Sequence, residues 1–529
     1  MRMRNILPKA AKFTPLLALL LIPRFQAQQQ VPDQGVQQLT AAEVQSVVSA
    51  AASAAGGEGM AIVVVDRPGR VLAIYRRSQT TDLSVEKALS MARSGAFFSS
   101  DSTPLSSRTV RSISRPNFPE GIPNQPAGAL YGIENTNRGC PIANHNGTVL
   151  LQPVPTPIGA IATENLTLGG IDPTGPDPTN LDGTNRSLGI GTVPGGFPLF
   201  RGGTTVIGGV GVSGLGPDMP GDQNEYAAIV GSSPFLVNLP LPDPGSVYID
   251  GFRLPFALFG PSLPASDGIA LTTPAGLTPG TFNPNLIVYG PLPGQFALEG
   301  WLVGPVDGKV LKAADVAGII DNSFQTALLT RAAIRLPVGR RTRMVISVAD
   351  LDGTILGLYR MEDSTIFSID VALSKARNVV YFSGPTRDPA EMPGVPMGTA
   401  VTNRTIGFAS QPFFPSGIFN SQPGPFYNTL YNFDSANPCT QGHQSSTNPD
   451  GSPNNNQSGI VFFPGSAPLY RSGVMVGGLG VSGDGVEQDD FVTNGGTVGY
   501  EAPVGIRADQ ILIRGVRLPY FKFPRNPEQ

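Results

Sequence analysis

The chain has 529 residues, of which 40% are hydrophobic and 14% are charged. This composition provides enough apolar material for folded cores and too little charge for a disordered chain. The net charge is −3 and no basic stripe is present, which argues against nucleic-acid binding. Two cysteines are too few for a disulfide-dense scaffold. At roughly 100–200 residues per domain, the length predicts two to four domains.

The N-terminus has the pattern of a secretory signal peptide, which we place at residues 1–27. An apolar run at 13–23 follows four basic residues, Arg2, Arg4, Lys9 and Lys12. The run is too short to span a bilayer, and no later stretch is long enough. A short membrane anchor or a buried helix is the alternative. We expect an exported protein, periplasmic or extracellular, whose mature chain begins near Gln28 and has no membrane span.

An internal repeat organises the rest of the chain. Residues 66–99 match 350–383 without a gap, at an offset of 284. Further matches follow in the same order: 108–110 with 404–406, 118–122 with 414–418, 198–214 with 468–483, and 251–256 with 515–520. The offset then falls, which places an insertion near 155–190 of the first copy. So many ordered matches indicate two diverged copies of one domain.

Each copy shows the same predicted elements. A helix comes first, at 39–55 and 311–333, and in the first copy Thr40 and Glu43 form a capping box. A β-hairpin, a second helix (83–98 in the first copy), a long loop, a strand and a C-terminal segment follow. The tight hairpin makes at least part of the sheet antiparallel. We predict an α/β (α+β) fold, with domains at 28–256 and 309–529 joined by a Pro/Gly-rich linker at 257–308.

The repeat resembles a known family. The second-helix pattern S-(V/I)-(D/E)-x-A-L-x-(K/M)-A-R, together with a late G-G-(V/L)-G-V-S-G, is similar to that of the GlcG/HbpS-like haem-binding proteins, also called the haem-degrading domain family. The resemblance covers nearly all of each copy except 111–197 and 387–467. It implies a profilin-like α/β/α fold with a mixed or antiparallel sheet, dimers or larger rings, and haem as a cofactor.

Two motifs could bind an anion. The GVSG segments contain Gly211, Ser213 and Gly214 in the first copy, and Gly480, Ser482 and Gly483 in the second. Backbone N–H groups at such a turn suit a propionate or a hydroxy-acid carboxylate. The alternative is that these glycines only permit a tight turn or close packing. Arg93 and Arg377 could clamp a carboxylate. Alternatively they form salt bridges, for example to Asp66 and Asp350, or lie on a solvated helix face.

Each copy also holds one cysteine and one histidine, shortly after a matching Leu-Tyr. The pairs are Cys140 with His145, and Cys439 with His443. In an exported protein, Cys140 and Cys439 could form one disulfide. The four residues together could hold a metal, although each copy supplies only two ligands. A histidine could also be an axial haem ligand, while covalent attachment is not supported because C-x-x-C-H is absent.

The sequence therefore favours an exported tandem protein that binds haem, or a related small anionic ligand, without a covalent bond. The copies are expected to pack as an internal pseudo-dimer, which could assemble further into a homo-oligomer. One alternative is an enzyme that degrades haem or acts on small hydroxy acids, but catalytic residues are not identifiable because no G-x-S-x-G elbow occurs. The other is a structural or interaction protein that has kept the fold without the ligand.

Overall fold

The structure is a computed structural model. It describes residues 38–529 apart from 102, 116, 120–121, 123–124, 137–189, 217–222, 237–244, 250, 258–275, 291–298, 337–338, 419, 438–457 and 528–529. Residues Gln37–Gln529 form one compact unit that contains both copies. Within the described residues, no helix has the length and apolar character needed to cross a membrane. The predicted signal peptide and the insertion near 155–190 lie outside the described residues.

The first copy follows the predicted order. Its helices and strands are α1 (Ala41–Ala54), β1 (Ala61–Asp66), β2 (Val71–Arg76), α2 (Asp82–Phe98), α3 (Ser107–Ile113), β3 (Gly196–Arg201), β4 (Thr205–Ser213), α4 (Gln223–Ser232), β5 (Ser246–Ile249) and β6 (Phe252–Pro255). The predicted capping box is confirmed, because Thr40 N donates to Glu43 Oε2 (2.8 Å) while Glu43 N donates to Thr40 Oγ1 (3.3 Å).

Two short strands from the predicted linker come next, β7 (Ile287–Tyr289) and β8 (Gly300–Val303). The second copy contains α5 (Ala313–Leu329), β9 (Val345–Ala349), β10 (Ile355–Arg360), α6 (Ser368–Ser383), α7 (Asn403–Ala409), a π-helix (Tyr427–Asn432) continuing into α8 (Phe433–Ala436), β11 (Ser466–Arg471), β12 (Val474–Ser482), α9 (Val486–Gly496), β13 (Leu512–Ile513) and β14 (Val516–Arg517). Short 3-10 turns occur at 133–135, 233–235, 284–286, 389–391, 504–506 and 508–510.

The two main sheets have the same strand order. It is β3-β4-β1-β2-β7 in one sheet and β11-β12-β9-β10-β8 in the other, and all these pairs are antiparallel. Helices cover both faces of the second sheet. Val345 and Ala349 pack in a cluster with α6, while Ile346 and Val348 pack in another with α5. Alternate residues of a strand point to opposite faces, so the predicted α/β/α layering with an antiparallel sheet is confirmed.

The linker takes part in both sheets. β7 pairs with β2, and β8 pairs with β10. Each strand supplies the outer edge next to a hairpin that would otherwise end the sheet. The residues at 287–289 and 300–303 are therefore structural parts of the two domains, which the Pro/Gly-rich composition of the segment did not indicate.

The sequence analysis missed two elements of each copy: the first strand of the second hairpin and a short helix in the long loop. The segments 198–214 and 468–483 each form a hairpin, β3–β4 and β11–β12, where one strand was expected. The chain reverses at Gly202-Gly203 and at Ser472-Gly473, all with positive φ.

The short helices α3 and α7 lie in the predicted long loop. Their N-caps make equivalent contacts, since Ser106 Oγ donates to Phe256 O and Thr402 Oγ1 to Tyr520 O, both at 2.6 Å.

Candidate functional site

A cavity of about 30 Å³ lies between the two copies and is partly open to the surface. The first copy contributes Phe97 and Phe98 from the end of α2, and Leu130 and Ile133 from the segment after α3. The second copy contributes Phe367, Phe463 and the end of β12, with Val486 and Asp489 of α9. The wall is therefore almost entirely apolar, and Ser482 and Asp489 are the polar side chains that line it.

Phenylalanine rings form the apolar part of this wall. Phe97 packs edge to face against Phe367 of the second copy, with ring centroids 4.5 Å apart. Phe98 packs in the same way against Phe97, at 4.8 Å. The three rings belong to a hydrophobic cluster with members from both copies. The C-terminal end of α2 thus meets the N-terminal end of α6 at the cavity.

A buried ion pair provides the polar part. Lys375 Nζ donates to Asp489 Oδ2 (2.8 Å) and to Val481 O (2.7 Å), and it lies 4.8 Å from the ring centroid of Phe463. Both side chains of the pair are buried. Burial raises the pKa of Asp489 to about 7 against the opposing charge of Lys375, and it lowers the pKa of Lys375. Asp489 Oδ1 has no hydrogen-bond partner within the described part of the chain.

The first copy has different residues at the equivalent positions. The ungapped offset of 284 pairs Lys375 with Met91. The structure agrees with this pairing, because the two side chains lie next to equivalent glycines, Gly195 and Gly465. A Cβ on Gly195 would lie 3.1 Å from Met91 Sδ, and a Cβ on Gly465 would lie 2.8 Å from Lys375 Nζ. Glu225 forms an ion pair with Arg108, and Asp490 forms the equivalent ion pair with Arg404. Glu225 and Asp490 are therefore equivalent, and so are the residues that precede them, Asn224 and Asp489. The ion pair is therefore a property of the second copy.

Equivalent residues of the two copies also meet directly. The rings of Tyr131 and Tyr431 are stacked, with centroids 5.0 Å apart and planes at 18°. Four residues later, Asn135 Nδ2 donates to Ser435 Oγ (3.2 Å). Both pairs are separated by 300 residues, so each joins a residue to its own counterpart. Such contacts are typical of a two-fold arrangement.

A family model described as haem-degrading protein HbpS-like matches residues 325–496. This segment, which we call the HbpS-like segment, is similar to that family. It contains α6, β12 and α9, and therefore Lys375, Asp489 and the second GVSG motif. The predicted resemblance is confirmed for this segment of the second copy.

The match to curated relatives covers only part of the length of each relative. Corrinoid adenosyltransferase PduO of Salmonella typhimurium is 26% identical over 161 residues, and that of Citrobacter freundii is 29% identical over 161 residues. Each match covers 30% of this chain and 33% of the relative. The chain thus spans about a third of the length of these relatives.

Three solved structures are similar to parts of the chain. PduOC in a haem complex is 20% identical, with 36% of this chain and 96% of that chain covered and a TM-score of 0.22. Klebsiella pneumoniae ORFY is 18% identical, with 37% and 96% covered and a TM-score of 0.23. A double mutant of Streptomyces reticuli HbpS is 17% identical, with 42% and 97% covered and a TM-score of 0.19.

The first glycine of each GVSG motif allows the second helix of its copy to approach the sheet, and the second glycine lies close to another part of the backbone. A Cβ on Gly480 would lie 2.1 Å from Ala372 O, and one on Gly211 would lie 1.9 Å from Ala88 O. Gly483 would place its Cβ 2.3 Å from Arg343 O, and Gly214 has a φ of +88°. These positions agree with the close-packing alternative for the motif.

The serine of each GVSG motif and the turn that follows the second motif make contacts of their own. Ser482 lines the cavity and donates to Ser368 Oγ (3.2 Å), and its counterpart Ser213 is buried. The turn before α9 already holds a buried carboxylate, because Asp484 accepts from Arg335 Nε and from Arg343 N, both at 2.7 Å. Burial raises the pKa of Asp484 against the charge of Arg335.

Arg93 and Arg377 are buried, so the expectation of a solvated helix face is wrong. Each supports the turn of the first hairpin in its copy, since Arg93 Nε donates to Gly69 O (3.0 Å) and Arg377 Nε to Gly353 O (2.8 Å). Burial lowers the pKa of Arg377 to about 10, and the nearby charge of Asp352 opposes this change.

Cys140, His145, Cys439 and His443 lie outside the described residues. Among the residues that the structure describes, no three His, Cys, Asp or Glu side chains are grouped to hold a metal ion. Sequence reasoning did not single out Lys375 as a site residue. A signal was present, because the (K/M) position of the second-helix pattern is where the two copies differ in charge.

Proposed function

We propose that this chain is an exported protein that binds haem, or a related small anionic ligand, without a covalent bond. The HbpS-like match at residues 325–496 carries the proposal. The relative named PduOC, which forms a haem complex, is consistent with it. Catalysis is not part of the proposal.

We further propose that the two copies act as one internal pseudo-dimer. The contacts of Tyr131 with Tyr431 and of Asn135 with Ser435 support this arrangement, since each joins equivalent residues. A backbone hydrogen bond from Ile366 N to Pro68 O (3.0 Å) also links the copies. A tandem chain of a dimer-forming domain can satisfy its own interface in this way.

The cavity between the copies does not fit a haem. Ligand pockets have volumes of roughly 300–1,000 Å³, whereas this cavity has about 30 Å³. Among the residues that the structure describes, its lining contains no histidine, cysteine, methionine or tyrosine that could ligate iron. The proposal therefore assigns the axial ligand to His145 or His443, the two histidines of the chain.

Titration of the purified full-length chain with haemin tests this assignment. We expect a saturable Soret band with the wild-type protein. Replacing both histidines, His145→Ala with His443→Ala, should shift or abolish that band because the axial nitrogen is lost. A matched control replaces an exposed ion pair of the described part, in which Lys312 Nζ lies 3.3 Å from Asp307 Oδ2. The variant Lys312→Met with Asp307→Leu should leave the band unchanged.

A scaffold that has kept the fold without the ligand is the second candidate function. The small volume of the cavity and the direct packing of Phe97 on Phe367 favour it, because they leave little space between the copies. Absence of any saturable Soret change with the wild-type chain would support this candidate and reject haem binding.

A further inference from the structure

The unpaired oxygen of Asp489 is the observation on which this inference depends. Asp489 is almost fully buried, lines the cavity, and uses Oδ2 to accept from Lys375. Its second oxygen, Oδ1, has no partner in the described residues. A buried acceptor without a hydrogen bond is unfavourable, so a donor that reaches Oδ1 would gain affinity by satisfying it.

The charge of the site selects a neutral donor. Lys375 already balances Asp489, and its Nζ lies 2.8 Å from Oδ2. An added cation would be repelled by Lys375, and an added anion would be repelled by the carboxylate, in surroundings where water screens little. Neutral molecules avoid both costs.

The lining and the volume restrict the rest of the ligand. Phenylalanine rings and aliphatic side chains form most of the wall, which favours an apolar body. A single water needs about 10–15 Å³, so a cavity of about 30 Å³ holds only a small molecule.

We propose that this cavity is a single binding site for a short neutral alcohol, whose hydroxyl group donates to Asp489 Oδ1 while its carbon atoms contact Phe97 and Phe367. The site is single because the first copy has Met91 and Asn224 in place of the ion pair. It is independent of the haem proposal, since it uses neither histidine.

Ethanol and its isomer dimethyl ether are matched probes, because the ether has the same atoms but no hydroxyl donor. Methyl-resolved NMR of the full-length chain can follow Ile133 and Ile334, which both line the cavity. We expect ethanol to cause saturable shifts of these two methyl signals in the millimolar range, as suits a ligand of three non-hydrogen atoms. Dimethyl ether should bind about tenfold more weakly.

The variant Lys375→Met with Asp489→Leu removes the acceptor. Replacing a buried ion pair by apolar residues is usually compatible with folding, and Met91 shows that methionine is accommodated at this place of the repeat. Ethanol should bind this variant about tenfold more weakly, whereas the exposed-pair control, Lys312→Met with Asp307→Leu, should bind it normally.

Three results would overturn the proposal: no saturable shift with the wild type, equal binding of ethanol and dimethyl ether, or equal binding of ethanol by the wild type and the Lys375/Asp489 variant. If that variant does not fold, the ratio of ethanol to ether affinity in the wild type decides alone. The experiment uses no haem, so its failure is distinct from failure of haem binding.

Discussion

Positions 91 and 375 show how one residue distinguishes two copies of a fold. Both lie on the second helix of their copy and both are buried, yet one is methionine and the other lysine. A buried lysine needs a partner, and Asp489 supplies it. The sequence alone pairs Lys375 with Met91 through the repeat, but it does not pair Lys375 with Asp489, because these residues are 114 positions apart and meet only through tertiary packing.

The ionisation of Asp489 makes stability depend on pH. Its folded pKa is raised to about 7 mainly by burial, opposed by Lys375 and assisted by the charges of Asp490 and Asp484. A carboxyl group whose folded pKa lies above its unfolded value, near 3.9, stabilises the fold fully at low pH. This contribution is lost as the pH rises through about 7.

We therefore expect the free energy of unfolding of the wild type to fall, relative to that of the Lys375→Met/Asp489→Leu variant, between about pH 4 and 8. Urea unfolding of both proteins at several pH values measures the difference. Parallel curves over this range would show that Asp489 titrates normally.

At the scale of elements, the glycines of β12 determine how closely α6 packs on the sheet. Gly478 and Gly480 face α6, and a Cβ on either would lie within 2.4 Å of a backbone oxygen of that helix. Backbone atoms cannot move aside without displacing the whole helix. The first glycine of the second GVSG motif, Gly480, is thus accounted for by the contact between helix and strand.

Substitution of Gly480 tests this explanation. We expect Gly480→Ala to destabilise the protein by about 1–3 kcal/mol, because the added methyl group overpacks the contact with Ala372 O. Gly318 is a matched control, since it lies inside α5 and its Cβ would meet no atom within 4 Å. Gly318→Ala should stabilise by about 1 kcal/mol through helix propensity. Denaturant unfolding compares them, and equal effects would contradict the packing explanation.

Periodicity and turn residues were sufficient to predict α1, the β1–β2 hairpin and α2 from the sequence. Thr40 and Glu43 define the start of the first helix through local contacts, and such contacts are encoded by neighbouring residues. The edge strands β7 and β8 were not predictable in this way. Their pairing with β2 and β10 depends on tertiary structure, and their residues lie in a segment whose composition is typical of loops.

At the scale of the whole molecule, contacts between equivalent residues join the two copies a few positions before each cysteine in the sequence. Tyr131 stacks on Tyr431, and Asn135 donates to Ser435. Cys140 follows Asn135 by five residues, and Cys439 follows Ser435 by four. An extended chain covers at most about 3.3–3.6 Å per residue, so this short spacing along the sequence is compatible with a pairing of the two cysteines.

We predict that Cys140 and Cys439 form a disulfide with each other in the native protein, if the chain is exported as proposed. The bridge would require an oxidising compartment and a Cα separation of roughly 4.4–6.8 Å, which the contact of Asn135 with Ser435 makes accessible. Because it closes a very long loop, it would stabilise the fold by on the order of 5 kcal/mol in the chain-entropy model, and by less if it is strained.

Thiol labelling of the unreduced, denatured chain, together with non-reducing peptide mapping, measures the state of both cysteines. We expect no labelled thiol in the wild type and one in Cys140→Ser, because that change leaves Cys439 without its partner. The same two measurements on the variant Tyr131→Ala test whether stacking of Tyr131 on Tyr431 promotes formation of the disulfide. We expect a larger fraction of free thiols in this variant than in the wild type. Two free thiols per wild-type chain would refute the disulfide. A bridge between separate chains would keep the oxidised cysteines but refute their pairing across the two copies.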